Sequence, residues 1–223
     1  MEKALLYKEW LKTRRVFWVA LAVAMALSIY AVIMINRLVS LKGVEHLWLI
    51  MLLKDNTFID IIKYSPAAVG IAIGLSQMVP EMIGKRLKLT LHLPYPQRRL
   101  VMIMLATGLA ELCVIFVLQA AVIVLRYWSL LPAELVGRVM LTGLPWYFAG
   151  FTAYLFVTAI CLEGTRIMRV ILGLLGVATL MIYFLQGAPE AYNGMTVLSV
   201  VFICLLVILS FGSVIRFKEG RQD

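Results

Sequence analysis

Val16-Phe-Trp-Val-Ala-Leu-Ala-Val-Ala-Met-Ala-Leu-Ser-Ile-Tyr-Ala-Val-Ile-Met-Ile35 runs for twenty residues without a charge. At 1.5 Å per residue a helix of that length covers roughly 30 Å, the thickness of the hydrocarbon core of a bilayer. A single chain segment crosses that layer only as a helix, because lipid offers no partner to an unbonded backbone N–H or C=O. The stretch also exceeds the apolar region of a cleaved signal peptide, about 7–15 residues. It reads as a retained first span.

Five further stretches follow the same rule, at about 61–82, 100–125, 139–162, 167–185 and 195–215. The second is the weakest, with Lys63 and Pro66 near its start. A lysine there snorkels to the interface, and a proline is tolerated in a first helical turn. Composition agrees: 63% of the 223 residues are hydrophobic and the mean hydropathy is +0.96, whereas soluble domains lie nearer 45–50% apolar. The expected fold is an all-α integral membrane protein of six spans, with residues 1–15 as an amphipathic cytoplasmic segment and 16–223 as one transmembrane domain.

The formal charge is +9, and its distribution speaks to topology rather than to nucleic acid. Fifteen of the 21 basic residues lie in the first fifteen residues, between spans two and three, between spans four and five, and in the tail. The other six are Arg37, Lys42, Lys54, Lys63, Arg126 and Arg138. That asymmetry predicts that both termini face the cytoplasm, in the inner (plasma) membrane. No nucleic-acid recognition motif accompanies the charge. Cys113, Cys161 and Cys204 lie in or beside spans without metal-ligand spacing, so they read as small packing residues. His46 and His92 fall on opposite sides of the membrane, and no catalytic constellation appears. The chain is not expected to be an enzyme.

Outside the spans, three segments stand out. Residues 1–15 place Ala4, Leu6, Tyr7, Trp10 and Leu11 in one helical arc, with Lys8, Lys12 and Arg15 on the opposing flank; Leu5 breaks the pattern. This predicts a helix lying on the cytoplasmic leaflet and entering the first span through a bend. Leu47–Leu53, seven apolar residues, is too short to span and suits a helix on the outer interface or over the bundle. Glu81–Arg99 is basic and cytoplasmic, yet keeps Ile83, Leu87 and Leu91 at i, i+4 and i+8, an apolar stripe in search of a partner groove. Pro94 and Pro96 end it.

The order Glu81, Gly84, Lys85, Leu91, Leu93, Pro94, Arg98 resembles the coupling segment of ABC-2-type ABC transporter permeases. Their second helix ends at an acidic residue, followed by glycine, basic residues, a leucine-rich stretch and Leu-Pro. Lys8-Glu9-Trp10-Leu11-Lys12 resembles the Lys-Glu-x-x-Lys pattern of that family's elbow helix. Two features depart: Lys85 follows the glycine where threonine is frequent, and the loop before span six is brief. The resemblance implies a permease subunit, an exporter in direction. Glu81, Ile83, Gly84, Lys85, Arg86, Leu87, Leu91 and Pro94 would engage a separate ABC ATPase dimer. Leu6, Trp10 and Leu11 would form the elbow, and a second copy or homologous permease would complete the path. ATP and Mg would bind only in the partner, because no G-x-x-x-x-G-K-[ST] occurs here.

Within the spans, Glu111 and Gln119 are the polar residues of note. A carboxyl at that depth faces protein or water. It either lines a substrate path or subunit interface, or is a neutral acid bonded to a neighbouring helix, with Thr107 one turn away as a candidate partner. Glu163 beside Arg166 reads as a boundary charge, solvated or paired. Gly70-x-x-x-Gly74 permits close helix contact, and Gly173 and Gly176 could do likewise. Two other readings are open: the substrate-binding membrane subunit of a vitamin-uptake system, and a lipid-modifying membrane enzyme, which would need clustered polar residues at one interface.

Overall fold

The computed structural model describes residues 2–53, 56–83, 96–185 and 188–218. Among them there is no strand. Six helices follow one another: α1 (Glu2–Leu53), α2 (Ser65–Ile83), α3 (Gln97–Trp128), α4 (Ala133–Leu162), α5 (Arg166–Phe184) and α6 (Thr196–Lys218), with single 3-10 turns at Asp60–Ile62 and Asn193–Met195. All six are long and apolar enough to cross a membrane. The chain is a multi-pass membrane protein.

The helix α1 differs from expectation at its start. Residues 2–42 contain neither Gly nor Pro, so nothing interrupts the i→i−4 ladder, and the segment 2–15 continues into the span without a bend. The first non-helical residue is Gly43, at φ 79° and ψ 165°, a conformation that a side chain would strain. There the chain turns, and the following stretch lays Leu47 and Met51, one turn apart, into the core at 0% and 2% exposure. Of the two expectations for Leu47–Leu53, packing over the bundle is the one observed.

The central helix is α4. It packs against α2, α3, α5 and α6, and its apolar window is the most buried of the six. The closest approach is to α2. A Cβ on Gly70 would overlap the Gly150 carbonyl oxygen, and one on Gly74 would meet Val157 Cγ1 at 3.0 Å and the Tyr154 carbonyl at 3.4 Å. Residues four apart on α2 thus face residues four apart on α4, so the two helices run parallel. The expected close contact at Gly70-x-x-x-Gly74 is present. A Cβ on Gly176 would meet Phe156 Cγ at 3.1 Å, whereas one on Gly173 would meet nothing within 4 Å among the described residues.

Two apolar clusters fill the bundle. One surrounds the starts of α1 and α3 and the ends of α2 and α4, with Met78, Leu100, Leu105 and Leu162 fully enclosed. The other holds Ile35, Leu47, Met51, Ile62, Tyr127 and Trp146 at the opposite end. Outward faces are apolar as well: Trp18, Ile33, Val117, Ile167, Leu174 and Val197 are all more than half exposed. Lipid, rather than water, suits such a surface.

Candidate functional site

Within the first cluster lies a chain of polar side chains. The inward stripe of α1 is Leu5, Glu9, Thr13, Phe17, Ala20, Ala24, Ser28, Ala31 and Ile35, at three- and four-residue spacing. Leu5, which breaks the surface pattern, is part of this stripe. The arc of Leu6, Tyr7 and Leu11 points outward instead, at 44%, 63% and 41% exposure. Trp10 is half-buried and meets Phe17 edge-on at 5.2 Å. An outward apolar arc is what a helix embedded at a lipid surface presents. The lysines of the other flank do not simply face solvent, because the end of α2 lies against them.

That end carries Gln77 and Glu81, one turn apart and both closed from solvent at 0% and 1%. Lys8 and Lys12 each reach Glu81 Oε1 at 2.9 Å, and Lys12 also pairs with Glu9 Oε1 at 2.6 Å. Gln77 Nε2 donates to Glu9 Oε2 at 3.0 Å and to the Met104 carbonyl of α3 at 2.7 Å. From α4 the Tyr154 hydroxyl donates to Gln77 Oε1 at 2.7 Å. Thr13 Oγ1 lies 2.5 Å from Glu111 Oε1 on α3. Four helices therefore converge on one buried network, with Glu9 and Gln77 at its centre.

A buried ion pair is a weak source of net stability, because desolvating both charges offsets their attraction. It is a strong source of specificity, because a displaced partner leaves a charge uncompensated in low dielectric. The network can thus hold the start of α1 against the end of α2 in one register. It is packed shut: Glu9, Gln77, Glu81 and Tyr154 expose 2% or less. Among the described residues no group of three or more His, Cys, Asp or Glu could hold a metal ion.

The expected site residues divide into three sets. Glu81 and Glu111 belong to the network. Gln119 does not: it sits further along α3, where Nε2 donates to Ser65 Oγ at 3.2 Å and the Ala24 carbonyl at 3.4 Å. Ile83 ends α2 and is 82% exposed. Gly84, Lys85, Arg86, Leu87, Leu91 and Pro94 lie outside the described residues. Two partner assignments change. Thr107 donates back to the Ile103 carbonyl at 2.7 Å, so the hydroxyl facing Glu111 comes from α1 rather than from its own helix. Glu163 is fully buried rather than solvated; its carboxylate accepts from the Gly164 N–H at 3.2 Å, and its carbonyl accepts from Arg169 Nε at 2.8 Å.

Glu9, Thr13, Gln77 and Tyr154 escape the sequence reading as site residues. A signal existed in the paired spacing: Glu9 and Thr13 are i, i+4 on α1, and Gln77 and Glu81 are i, i+4 on α2. Two polar residues on one face of an otherwise apolar helix turn inward when the outside is lipid.

Comparison with protein-family models, with curated proteins and with solved structures returns no match for this chain.

Proposed function

We propose that this chain is the membrane-spanning permease subunit of an ATP-driven ABC transporter of the type-2 architecture, moving substrate outward across the inner membrane. Both termini lie in the cytoplasm. A separate ATPase dimer binds ATP and Mg, and a second permease copy or homologue completes the path. The observation that carries this reading is the clamp of Lys8 and Lys12 on Glu81. Glu81 stands two residues before Ile83, the last residue of α2, after which the basic segment 84–95 begins. A push on that segment reaches Glu81 first, and the two ion pairs pass it to α1 instead of letting α2 move alone. The order of residues from Glu81 to Arg98, and the absence of a phosphate-cradling loop from the chain, support the same reading.

The test is co-expression of the full-length chain with candidate ABC ATPase subunits of the same genome, followed by purification and measurement of ATP hydrolysis. A stable complex is expected, and Leu87→Asp, which puts a charge on the apolar stripe, should abolish it. A chain that binds no ATPase, or a complex indifferent to Leu87→Asp, would overturn the assignment.

A further inference from the structure

The network holds three carboxylates and two ammonium groups, and the surplus acid can be identified. Glu81 takes Lys8 and Lys12, and Glu9 takes Lys12 and the Gln77 amide. Among the described residues Glu111 has the Thr13 hydroxyl as its one partner, its Oε2 has none, and the residue is 5% exposed. The charged group that faces it is another carboxylate, Glu9 of α1. Lys12 of α1 and Glu81 of α2 belong to the same network and are bonded to each other, and Tyr154 of α4 is the other ionisable neighbour. No lysine or arginine among the described residues pairs with Glu111. An ionised carboxylate in that position would be buried, uncompensated and set against a like charge.

The hydrogen-bond geometry suits the neutral acid. The contact between Thr13 Oγ1 and Glu111 Oε1 admits a hydrogen bond in either direction. Were Glu111 ionised, the Thr13 hydroxyl would have to donate to it. With the acid protonated at Oε1, Glu111 donates to Thr13 Oγ1. The hydroxyl is then free to donate to the Glu9 carbonyl 3.3 Å away, one turn back on α1. The unpartnered Oε2 is in that state a carbonyl acceptor, which costs far less to leave unbonded than a charged oxygen.

We propose that Glu111 is a proton-binding site, occupied while the start of α1 is docked, and that loss of the proton to solvent undocks residues 2–13. The proton is the ligand; a metal ion is not, because no cluster of ligating side chains surrounds the position among the described residues. On ionisation, Glu9 and Glu111 repel across the Thr13 contact. The segment that gives way is the start of α1, since Glu9 and Thr13 lie in its first turns while Glu111 is flanked by several helical turns on both sides within α3. The site makes the register between α1 and α2 conditional on proton occupancy. It needs only the bundle and stands independently of the transporter reading.

Two measurements on the full-length protein in a bilayer test this. Infrared difference spectroscopy at neutral pH should show the C=O stretch of a protonated carboxylic acid that is lost in E111Q and retained in E9Q and E81Q. Thr13→Val should shift that band without removing it, and this holds as a test even if E111Q fails to fold. Spin labels at Leu6 and Ile83, both exposed, with the three cysteines replaced, should report a fixed separation at neutral pH. The separation should widen as pH is raised while the lysines keep their charge, and E111Q should abolish the widening. A spectrum without a Glu111-dependent acid band, a band unmoved by Thr13→Val, or widening in E111Q equal to that of the wild type would each overturn the proposal.

Discussion

The two ends of the bundle are held by different physics. At the end carrying residues 2–13, Glu9, Lys12, Thr13, Gln77, Glu81, Glu111 and Tyr154 meet through directional bonds between four helices. At the other end, Ile35, Leu47, Met51, Ile62, Tyr127 and Trp146 form an apolar core that meets chiefly through shape, with a few directional bonds beside it, such as Arg126 Nε to Asn36 Oδ1 at 2.8 Å. In lipid, burying a leucine against protein rather than against acyl chains brings little hydrophobic gain, so the apolar end is held by close packing and dispersion. Packing of that kind tolerates side chains of similar volume. The polar end does not, because each group has a particular partner and a register shift of one residue would strand a charge. One end is therefore adaptable in sequence, and the other depends on particular partners.

The sharpest way to break this contrast is Glu81→Leu, which keeps bulk and removes the common partner of Lys8 and Lys12. Lys12, 14% exposed, keeps Glu9 as a partner, so the cost should fall near the lower end of the about 3–5 kcal/mol of a fully stranded buried charge, read as lost stability of the purified protein against thermal or denaturant unfolding. A loss comparable to an ordinary surface change would show that the lysines simply turn to solvent. Next in size, Leu47→Ala at the other end should cost roughly 2–3 kcal/mol through the cavity it leaves. Leu47→Met should cost less than about 1.5 kcal/mol. Equal losses in the two Leu47 variants would mean that this end is as intolerant as the polar one. Smallest is Lys8→Ala. Its side chain is 39% exposed, so solvent screens its bond to Glu81 and the loss should stay below about 1 kcal/mol and shrink further in high salt. Lys12, at 14%, should lose more on the same change, and the difference between the two lysines measures how much of the clamp is desolvated.

Reading the spans from sequence works because the solvent imposes the rule. Twenty uncharged residues leave the backbone one arrangement in a bilayer, whatever the neighbours are, and all six expected spans are helices. Gly70-x-x-x-Gly74 is legible for a similar reason, since a missing side chain is an invitation to close approach from any helix. The polar network is less legible. Lys8 and Lys12 lie on a helical flank that looks solvated when only residues 1–15 are considered, and Glu9 is hidden between them. Only the approach of α2, 68 residues further along the chain at Gln77, turns that flank into an interior. The partner of Glu111 was missed similarly: Thr107 is near in sequence, but Thr13, 98 residues away, is near in space.

Composition and span length alone determined that this is a six-helix membrane protein, because the energetic demand of lipid acts on each segment separately. Which face of α1 points inward and which acid is left without a cation were decided by tertiary structure. Those properties depend on pairs of residues distant in sequence, and a pair has no energy until the fold brings its members together.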